Sequence, residues 1–358
     1  MKSCNSTQLA GLFAGCFLGA GFVSGQELWQ FFGCFGIWAL PALLLSIGIM
    51  AALGIILLRL AQETGIEQMD RIVIRRDILW LRGLCAILQV IFLFGIVTIM
   101  IAATGALITQ LTGLPSWLGG LCMTILVTMV AVFGLSGILR VFSTVVPIIV
   151  VATLIIGIIA FRHFGAASFQ LSAEGSVNPL LPFWFISAPT YAASNFFGSI
   201  GILTPFGKAI PNRKTIVSGI LLGGLLLLSI AGSILAALCL YPASTAAELP
   251  MLALSCEISM PLGYVYGFLL LCGLFGTTCS CLVAVVIFLG FRSARFATHR
   301  TAGIAALSLL AFAASLFGFG NLVSTIYPVF GYIGTLFLVG IVLHYLHVRR
   351  TANSDASV

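Results

Sequence analysis

The chain alternates between long apolar runs and short polar segments along its whole length. A run of roughly 20 apolar residues is long enough to cross the ~30 Å hydrocarbon core of a bilayer as an α-helix. The pattern predicts ten such helices, numbered here as spans 1 to 10. Their approximate bounds are 8–35, 37–60, 78–110, 116–137, 141–161, 184–209, 214–240, 261–291, 301–318 and 321–347. The predicted fold class is therefore an all-α integral membrane protein.

Composition supports this class, because 61% of the residues are hydrophobic and only 7% are charged. A soluble globular domain carries about 25% charged residues. The ten cysteines are scattered among the apolar spans and have no metal-binding spacing, so we expect them to pack as small hydrophobic side chains. The net charge of +7 is divided among separate loops, and we therefore expect no nucleic-acid partner.

The basic residues predict how the chain is oriented. With the N-terminus inside, fifteen of the sixteen Lys and Arg residues fall in cytoplasmic segments, and only Arg162 falls outside. Cytoplasmic loops of membrane proteins carry such an excess of positive charge. We therefore expect a multi-pass protein of the plasma membrane with both termini in the cytoplasm. The apolar run continues past Cys16, so we expect no lipoprotein cleavage there.

Ten spans divide into two sets of five, and an odd number gives the two sets opposite orientations. We expect a single transmembrane transporter domain with one repeat over about 8–161, an inverted repeat over about 184–347, and a cytoplasmic tail over 348–358. Two polar segments are predicted to form surface helices. The mixed-charge segment 61–77 is expected at the cytoplasmic interface, and segment 244–258 is expected on the outer surface.

Span 1 contains an unusual polar segment in its middle, with the sequence GAGFVSGQE at residues 19–27. A chain in lipid cannot leave backbone N–H and C=O groups unpaired, so a spanning helix is interrupted only where it lines a cavity or ligand site. Glycine lowers the cost of leaving the helix and allows a ligand to approach the backbone. This segment predicts a binding site built from a broken helix.

Span 6 carries a similar interruption, since residues 187–201 hold Pro189, a polar cluster and two glycines within an apolar segment. Interrupted segments at matching positions of two repeats indicate the substrate site of a transporter. The alternative is that these residues only serve helix packing and kinking. Because span 1 is interrupted at the matching position, we predict that span 6 is broken too.

Three motifs resemble those of a known family. They are residues 19–27, the sequence ELPM at residues 248–251, and GFGNLV at residues 318–323 leading to YPVFGYIG at residues 327–334. These resemble the YkvI-like membrane proteins, a largely uncharacterised branch related to the amino acid–polyamine–organocation superfamily. The resemblance covers the whole chain. It implies the leucine-transporter (LeuT) fold, in which two inverted five-helix repeats place unwound spans 1 and 6 around a central site.

The substrate site is predicted around these two breaks. Backbone N–H groups at a break suit a carboxylate, and the Gly-Ala-Gly segment resembles the glycine motif that holds the substrate carboxylate in amino-acid transporters of the superfamily. From span 6 we expect polar contacts and two aromatic side chains that close the site from outside. The predicted substrate-binding residues are Gly19, Ala20, Gly21, Phe22, Ser24, Glu27, Ser194, Asn195, Phe196 and Phe197.

A sodium site is implied beside the substrate, because in the LeuT fold the ion lies between carbonyls of span 1 and oxygens of span 8. The corresponding oxygens here are the carbonyls of Gly15, Leu18 and Leu274 and the hydroxyls of Thr277 and Thr278. The alternative is that these hydroxyls bond back to their own helix. No other cofactor is expected.

Glu27 is the only acidic residue that we place within the hydrocarbon region. A buried carboxylate costs a few kcal/mol there unless it is paired, so it should face the interior of the bundle. Two roles stay open. Glu27 could carry a coupling proton or bind a substrate amine, or it could be a structural carboxylate stabilised at a helix N-terminus.

These features favour a secondary active transporter of an amino acid or similar small organic solute, coupled to Na⁺ or H⁺ and working by alternating access. The alternative is a non-transporting receptor of the same fold, such as the germinant-receptor subunits of the superfamily. The expected partners are a small-molecule substrate and the lipid bilayer. We expect no nucleotide-driven transport, because the sequence lacks a phosphate-binding GxxxxGK[ST] loop. We expect no enzyme, because the sequence lacks a HExxH motif, a paired intramembrane aspartate and a Ser/His arrangement.

Overall fold

The computed structural model describes residues 5–66, 69–74, 78–133, 136–170, 177–292, 296 and 298–355. Within these ranges the ordered elements are helical. The α-helices are α1 (Ser6–Phe17), α2 (Ala20–Val23), α3 (Gln26–Phe31), α4 (Ala39–Thr64), α5 (Met69–Val73), α6 (Leu79–Thr112), α7 (Ser116–Phe133), α8 (Ser136–Phe164), α9 (Trp184–Leu203), α10 (Arg213–Leu240), α11 (Pro250–Ile258), α12 (Met260–Arg292), α13 (Arg300–Ser315) and α14 (Phe319–Asp355). Short 3₁₀ segments cover Gly33–Trp38, Ala166–Ser168, Thr204–Ala209 and Pro242–Ala246.

Seven helical segments in the described part of the chain are long and apolar enough to cross a membrane. They are Gly33–Thr64, Leu79–Thr112, Ser116–Phe133, Pro147–Phe164, Arg213–Leu240, Met260–Gly290 and Phe319–Arg350. The other three predicted spans also contain helix, but span 1 is divided, span 6 carries many polar residues, and α13 has only 16 residues. The chain is thus a multi-pass membrane protein, while the count of ten crossings stays a prediction.

The predicted break in span 1 is confirmed. An Asn5 capping box begins α1, with the Asn5 side chain accepting from the Gln8 N–H at 2.9 Å. The helix ends at Phe17, resumes for one turn as α2, and stops again before Gly25. Gly25 has φ = 85°, a left-handed conformation that costs glycine little and other residues more. Span 1 is therefore three short helical pieces joined at two irregular points.

The predicted break in span 6 is wrong, because α9 is continuous from Trp184 to Leu203 through Pro189. Its polar side chains bond to carbonyls of their own helix instead of marking an unwound segment. Asn195 Nδ2 donates to the Tyr191 carbonyl at 3.1 Å, and Ser199 Oγ donates to the Asn195 carbonyl at 2.9 Å. Such back-bonding gives the hydroxyl and amide groups partners within the helix, so they do not require an unwound segment. The polar residues of this segment therefore do not indicate an unwound helix.

Small residues allow the helices around span 1 to cross closely. A Cβ added at Gly223 of α10 would lie 2.9 Å from the Ala10 carbonyl oxygen of α1. A Cβ added at Gly334 of α14 would lie 2.8 Å from the Ala193 carbonyl oxygen of α9. Helices in membranes associate through such small-residue contacts, since lipid provides no hydrophobic drive between them. These crossings place α9, α10 and α14 next to the divided span.

The two predicted surface helices are shorter than their segments. Segment 244–258 contains the end of the 3₁₀ turn Pro242–Ala246 and then α11. In segment 61–77 the end of α4 is followed by α5, while residues 67–68 and 75–77 lie outside the described part. An ion pair of 2.8 Å between Glu63 and Arg213 joins the end of α4 to the start of α10. At the other terminus α14 continues to Asp355, so most of the predicted tail is helical.

Candidate functional site

The first interruption of span 1 leaves the chain locally irregular at Leu18 and Gly19. The Leu18 N–H still bonds to the Ala14 carbonyl at 3.0 Å, but the Gly19 N–H bonds to the Phe17 carbonyl at 2.9 Å. The regular i to i−4 pattern is lost at that point. Helical bonding then resumes, with the Val23 N–H on the Gly19 carbonyl at 3.2 Å. Span 1 thus has an irregular backbone at Leu18 and Gly19, in the interior of the helix bundle.

The second interruption is held by two other helices. The Met251 N–H at the start of α11 donates to the Ser24 carbonyl at 3.0 Å. Tyr266 Oη of α12 donates to the Val23 carbonyl at 2.6 Å. Carbonyls released by the break therefore have donors, as buried backbone groups require. These bonds also fasten α11, which corresponds to the predicted outer helix, onto span 1.

A cavity of about 360 Å³ opens beside the first interruption. It lies between span 1 and one face each of α6, α9, α12 and α14. Its walls combine apolar and polar side chains, with Glu27 as the acidic member. The side chains that line it are Cys16, Phe17, Leu18, Glu27, Phe92, Leu93, Ile96, Met100, Asn195, Ser199, Ile202, Thr277, Ser280, Cys281 and Tyr327, together with Gly15, Gly19, Gly21, Gly198, Gly273 and Gly276. This size and mixture suit a small organic ligand.

The Glu27 side chain folds back from α3 toward the first interruption, and only 3% of Glu27 is exposed. Its carboxylate lies directly against Gly21, where an added Cβ would overlap Oε1. The Tyr327 hydroxyl of α14 lies within hydrogen-bonding reach of the same carboxylate. The structure thus brings together Gly21 and Glu27, two residues predicted for the site, and adds Tyr327.

The predicted contacts from span 6 are only partly in the cavity. Asn195, Gly198, Ser199 and Ile202 line it, at the i, i+3, i+4 and i+7 spacing of one helix face. Ser194, Phe196 and Phe197 lie on other faces and are buried. The Ser194 hydroxyl donates to the Tyr191 carbonyl at 3.0 Å.

Both aromatic residues predicted to close the site pack within the bundle instead. The Phe196 ring lies 6.4 Å from the Phe17 ring, and the Phe197 ring lies 4.9 Å from the Phe337 ring, measured between centroids. Because α9 is an unbroken helix, consecutive residues point in different directions. Only the face that begins at Asn195 reaches the cavity.

Two further residues predicted on span 1 have structural contacts. Ser24 Oγ donates to the Gly21 carbonyl at 2.6 Å and accepts from the Gln26 N–H at 3.3 Å, so it bridges the second interruption. Phe22 is buried in the core. Ala20 has helical backbone in α2, and its side chain is outside the described part.

A second, much smaller cavity of about 20 Å³ lies where the sodium site is predicted. It is lined by Leu18, Gly19 and Val23 of span 1, Ile149 and Val150 of α8, and Gly273 and Thr277 of α12. A space of about 10–15 Å³ is enough by volume for one water molecule or small ion, and Thr277 is the polar side chain in this lining.

The predicted sodium ligands divide between the two cavities and the core. Leu18 and Thr277 line both cavities, and Gly15 lines the larger one. Thr278 and Leu274 line neither, because both are buried and the Thr278 hydroxyl donates to the Leu274 carbonyl at 2.6 Å. Thr277 is therefore the hydroxyl of this pair that faces the cavities.

Sequence reasoning missed several lining residues. Ser199 and Ile202 share the face of Asn195, so helical spacing from Asn195 would have found them once span 6 was taken as continuous. Phe92 and Met100 of α6 carry no comparable signal, because they are apolar residues within an apolar span. Their position depends on how α6 packs.

Comparison with known proteins supports the resemblance that the motifs indicate. No family model matches the chain. The chain is 27% identical over 353 residues to the uncharacterized membrane protein YkvI of Bacillus subtilis (strain 168), which covers 97% of this chain and 98% of that protein. It is 25% identical over 346 residues to the uncharacterized protein YyaD of the same organism, with 93% and 95% covered. The similarity to YkvI is thus confirmed over nearly the whole length.

Two groups of solved structures share the fold. Mhp1, a nucleobase-cation-symport-1 family transporter in a closed conformation with bromovinylhydantoin bound, matches with a TM-score of 0.58 and 14% identity over 92% of this chain and 75% of that chain. A mutant of the Eremococcus coleocola manganese transporter matches with a TM-score of 0.54 and 14% identity over 96% and 78%. At these identities the comparison establishes the fold alone.

Proposed function

We propose that the protein is a secondary active transporter of a small organic solute, with an amino acid or similar compound as the predicted class. The observation that carries the proposal is the 360 Å³ cavity against the broken span 1. Ligand sites of transporters are formed by discontinuous helices near the middle of the membrane. The solved structures with this fold are named as transporters, which supports the same role.

The state of the cavity fits alternating access. Its lining on α9 begins at Asn195 and runs toward the C-terminal end of that helix, which is predicted to be cytoplasmic. At the opposite side α11 is bonded to Ser24, and Gln110 Nε2 donates to the Leu249 carbonyl at 3.3 Å. The cavity is therefore closed by α11 on the predicted outer side and extends toward the predicted inner side. A transporter requires a second state in which these contacts separate.

Both coupling ions of the prediction have a physical basis in the structure. The small cavity beside Thr277 suits a sodium ion held by neutral oxygens. The buried Glu27 carboxylate suits a proton. In the described part of the chain no three His, Cys, Asp or Glu side chains group as a metal site would require.

One observation favours the alternative of a non-transporting receptor. Since α9 is continuous, only one of the two predicted helix breaks, the one in span 1, is present in this structure. A receptor of the same fold would need the cavity to bind its ligand, but it would not need both helix breaks.

Purified protein in liposomes tests the two functions. Solute uptake that depends on an imposed Na⁺ or H⁺ gradient, and that stops when the gradient is dissipated, supports the transporter. Ligand-induced thermal stabilisation in the same preparation without any uptake supports the receptor and contradicts the transporter. Empty liposomes under the same gradients provide the control for leakage.

A further inference from the structure

The position of Glu27 bears on the chemical class of the ligand, and the inference rests on the proposed function. The backbone around Gly21 is where a substrate carboxylate is predicted. The structure places the protein's own Glu27 carboxylate against that residue, since a Cβ on Gly21 would overlap Oε1. A second carboxylate at this point would meet like-charge repulsion in a region of low dielectric. The space for an anionic group is thus already taken.

The Glu27 carboxylate also lacks a cationic partner. Among the described residues that line the cavity, none is Lys, Arg or His. Burying an ionised carboxylate without a positive partner is costly, and such charges in membranes are paired. The Tyr327 hydroxyl can donate to the carboxylate and so orients it toward the cavity that both residues line.

A second buried polar group close by is incompletely paired. The Tyr191 hydroxyl of α9 is near enough to interact electrostatically with Glu27; the Asn195 side chain lies within its reach but forms no hydrogen bond of good geometry with it. Tyr191 is 2% exposed. The Glu27 carboxylate has Tyr327 as a donor but no positive partner among the described residues that line the cavity, so it can accept further hydrogen bonds. A ligand ammonium group supplies donors and positive charge together.

The rest of the cavity is suited to the apolar body of such a ligand. Phe17, Phe92, Ile96, Met100 and Ile202 form its apolar walls. Aromatic faces attract ammonium groups as well as apolar surface. We infer that the site binds an organic ammonium ion with an apolar body, that Glu27 pairs with the ammonium group, and that Tyr327 positions the Glu27 carboxylate. The ligand needs no carboxylate of its own.

Four probes with the same phenylethyl body test the inference, namely 2-phenylethylamine, phenylalanine, 3-phenylpropionate and 2-phenylethanol. They are cationic, zwitterionic, anionic and neutral at pH 7. Binding to the purified full-length protein is measured by calorimetry in KCl. We expect the ammonium probe to bind at least about tenfold more tightly than each of the others, in line with a charge-assisted hydrogen bond. Phenylalanine binding as tightly as 2-phenylethylamine, or more tightly, overturns the inference. So does the absence of 2-phenylethylamine binding up to about 10 mM, the highest concentration assayed, since a Kd of about 1 mM is already weak binding.

Substitution of Glu27 tests the assignment. Glu27→Gln should weaken ammonium binding at least about tenfold and change 2-phenylethanol binding little. Glu257→Gln, on the exposed side of α11, is the matched control and should leave both unchanged. Unchanged ammonium binding in Glu27→Gln overturns the assignment. If that variant fails to fold, Glu27→Asp keeps the charge and should retain the preference for the ammonium probe; loss of the preference contradicts the pairing.

Two further outcomes separate this inference from its competitor and from the proposed function. If sodium alone stabilises the wild-type protein through Glu27 and the ammonium probe does not, the carboxylate is a sodium ligand and the inference is wrong. Gradient-driven uptake of phenylalanine without ammonium uptake contradicts the ligand class but not transport. Ammonium binding without gradient-driven uptake contradicts transport but not the ligand class.

Discussion

The hydrogen bond between Tyr266 and the second interruption of span 1 gives the sharpest test of the structure. Tyr266 Oη donates to the Val23 carbonyl at 2.6 Å and lies 3.2 Å from Thr153 Oγ1. Tyr266→Phe removes the hydroxyl while keeping the ring. Thr153 retains its own bond to the Ile149 carbonyl at 2.8 Å, so the main loss is the donor to Val23.

The expected cost follows from the burial of this group. Leaving a buried carbonyl without a donor costs about 1–3 kcal/mol in proteins. Hydrogen bonds between membrane helices average about 0.6 kcal/mol and reach about 1.7 kcal/mol. We therefore expect Tyr266→Phe to lower the free energy of unfolding by about 1–2 kcal/mol. This corresponds to a drop in Tm of roughly 2–8 °C, since about 1 kcal/mol shifts Tm by about 2–4 °C in larger domains.

The assay is thermal unfolding of the purified protein in detergent, followed by tryptophan fluorescence. Tyr264→Phe is the matched control, because Tyr264 lies on the same helix and is 52% exposed. Exposed substitutions usually stay within about 0.5 kcal/mol, so its Tm should match the wild type. If Tyr266→Phe and Tyr264→Phe unfold at the same temperature as the wild type, Tyr266 does not hold the interruption and the packing of α12 on span 1 is wrong.

Two further variants test the candidate site. Gly21→Ala places a methyl group on the Glu27 carboxylate and should weaken binding of the 2-phenylethylamine probe about tenfold, measured by calorimetry. Gly11→Ala is the control, because Gly11 lies in the same span beside open space, and it should bind the probe normally. Equal affinities of the two variants would show that Glu27 does not contact Gly21. Thr277→Val should reduce the sodium dependence of ligand stabilisation more than Thr278→Val, because only Thr277 faces the cavities; superimposable sodium titrations of Thr277→Val and the wild type would remove sodium from this position.

The sequence by itself determined the features that depend on local chemistry. Long apolar runs fix the class of protein, since only a membrane accommodates so little charge. Glycine and polar residues in the middle of span 1 predict its break, because a helix in lipid has few other reasons to carry them. The interruption at Ser24 falls within the predicted segment 19–27, and the interruption at Leu18 and Gly19 lies at its N-terminal edge.

The same local rule failed for span 6, and the reason lies in hydrogen bonding. Pro189, Ser194 and Asn195 resemble a break in composition, yet the side chains of Ser194 and Asn195 bond to the Tyr191 carbonyl of their own helix. Composition shows that polar groups are present, but it does not show which partners they choose. The same sequence is compatible with an intact helix, in which the polar groups bond internally, and with an unwound segment, in which they bind a ligand.

Only the tertiary structure decided which candidates share one cavity. Neighbours in sequence, such as Thr277 and Thr278, face the cavity and the core respectively, because successive residues of a helix point about 100° apart and packing sets which direction is inward. Gly21 and Glu27 are six residues apart in sequence, and their contact likewise depends on the path that the chain takes through the second interruption between them. Local signals thus located the broken helix, and the packing of α6, α9, α12 and α14 around it determined the chemistry of the site.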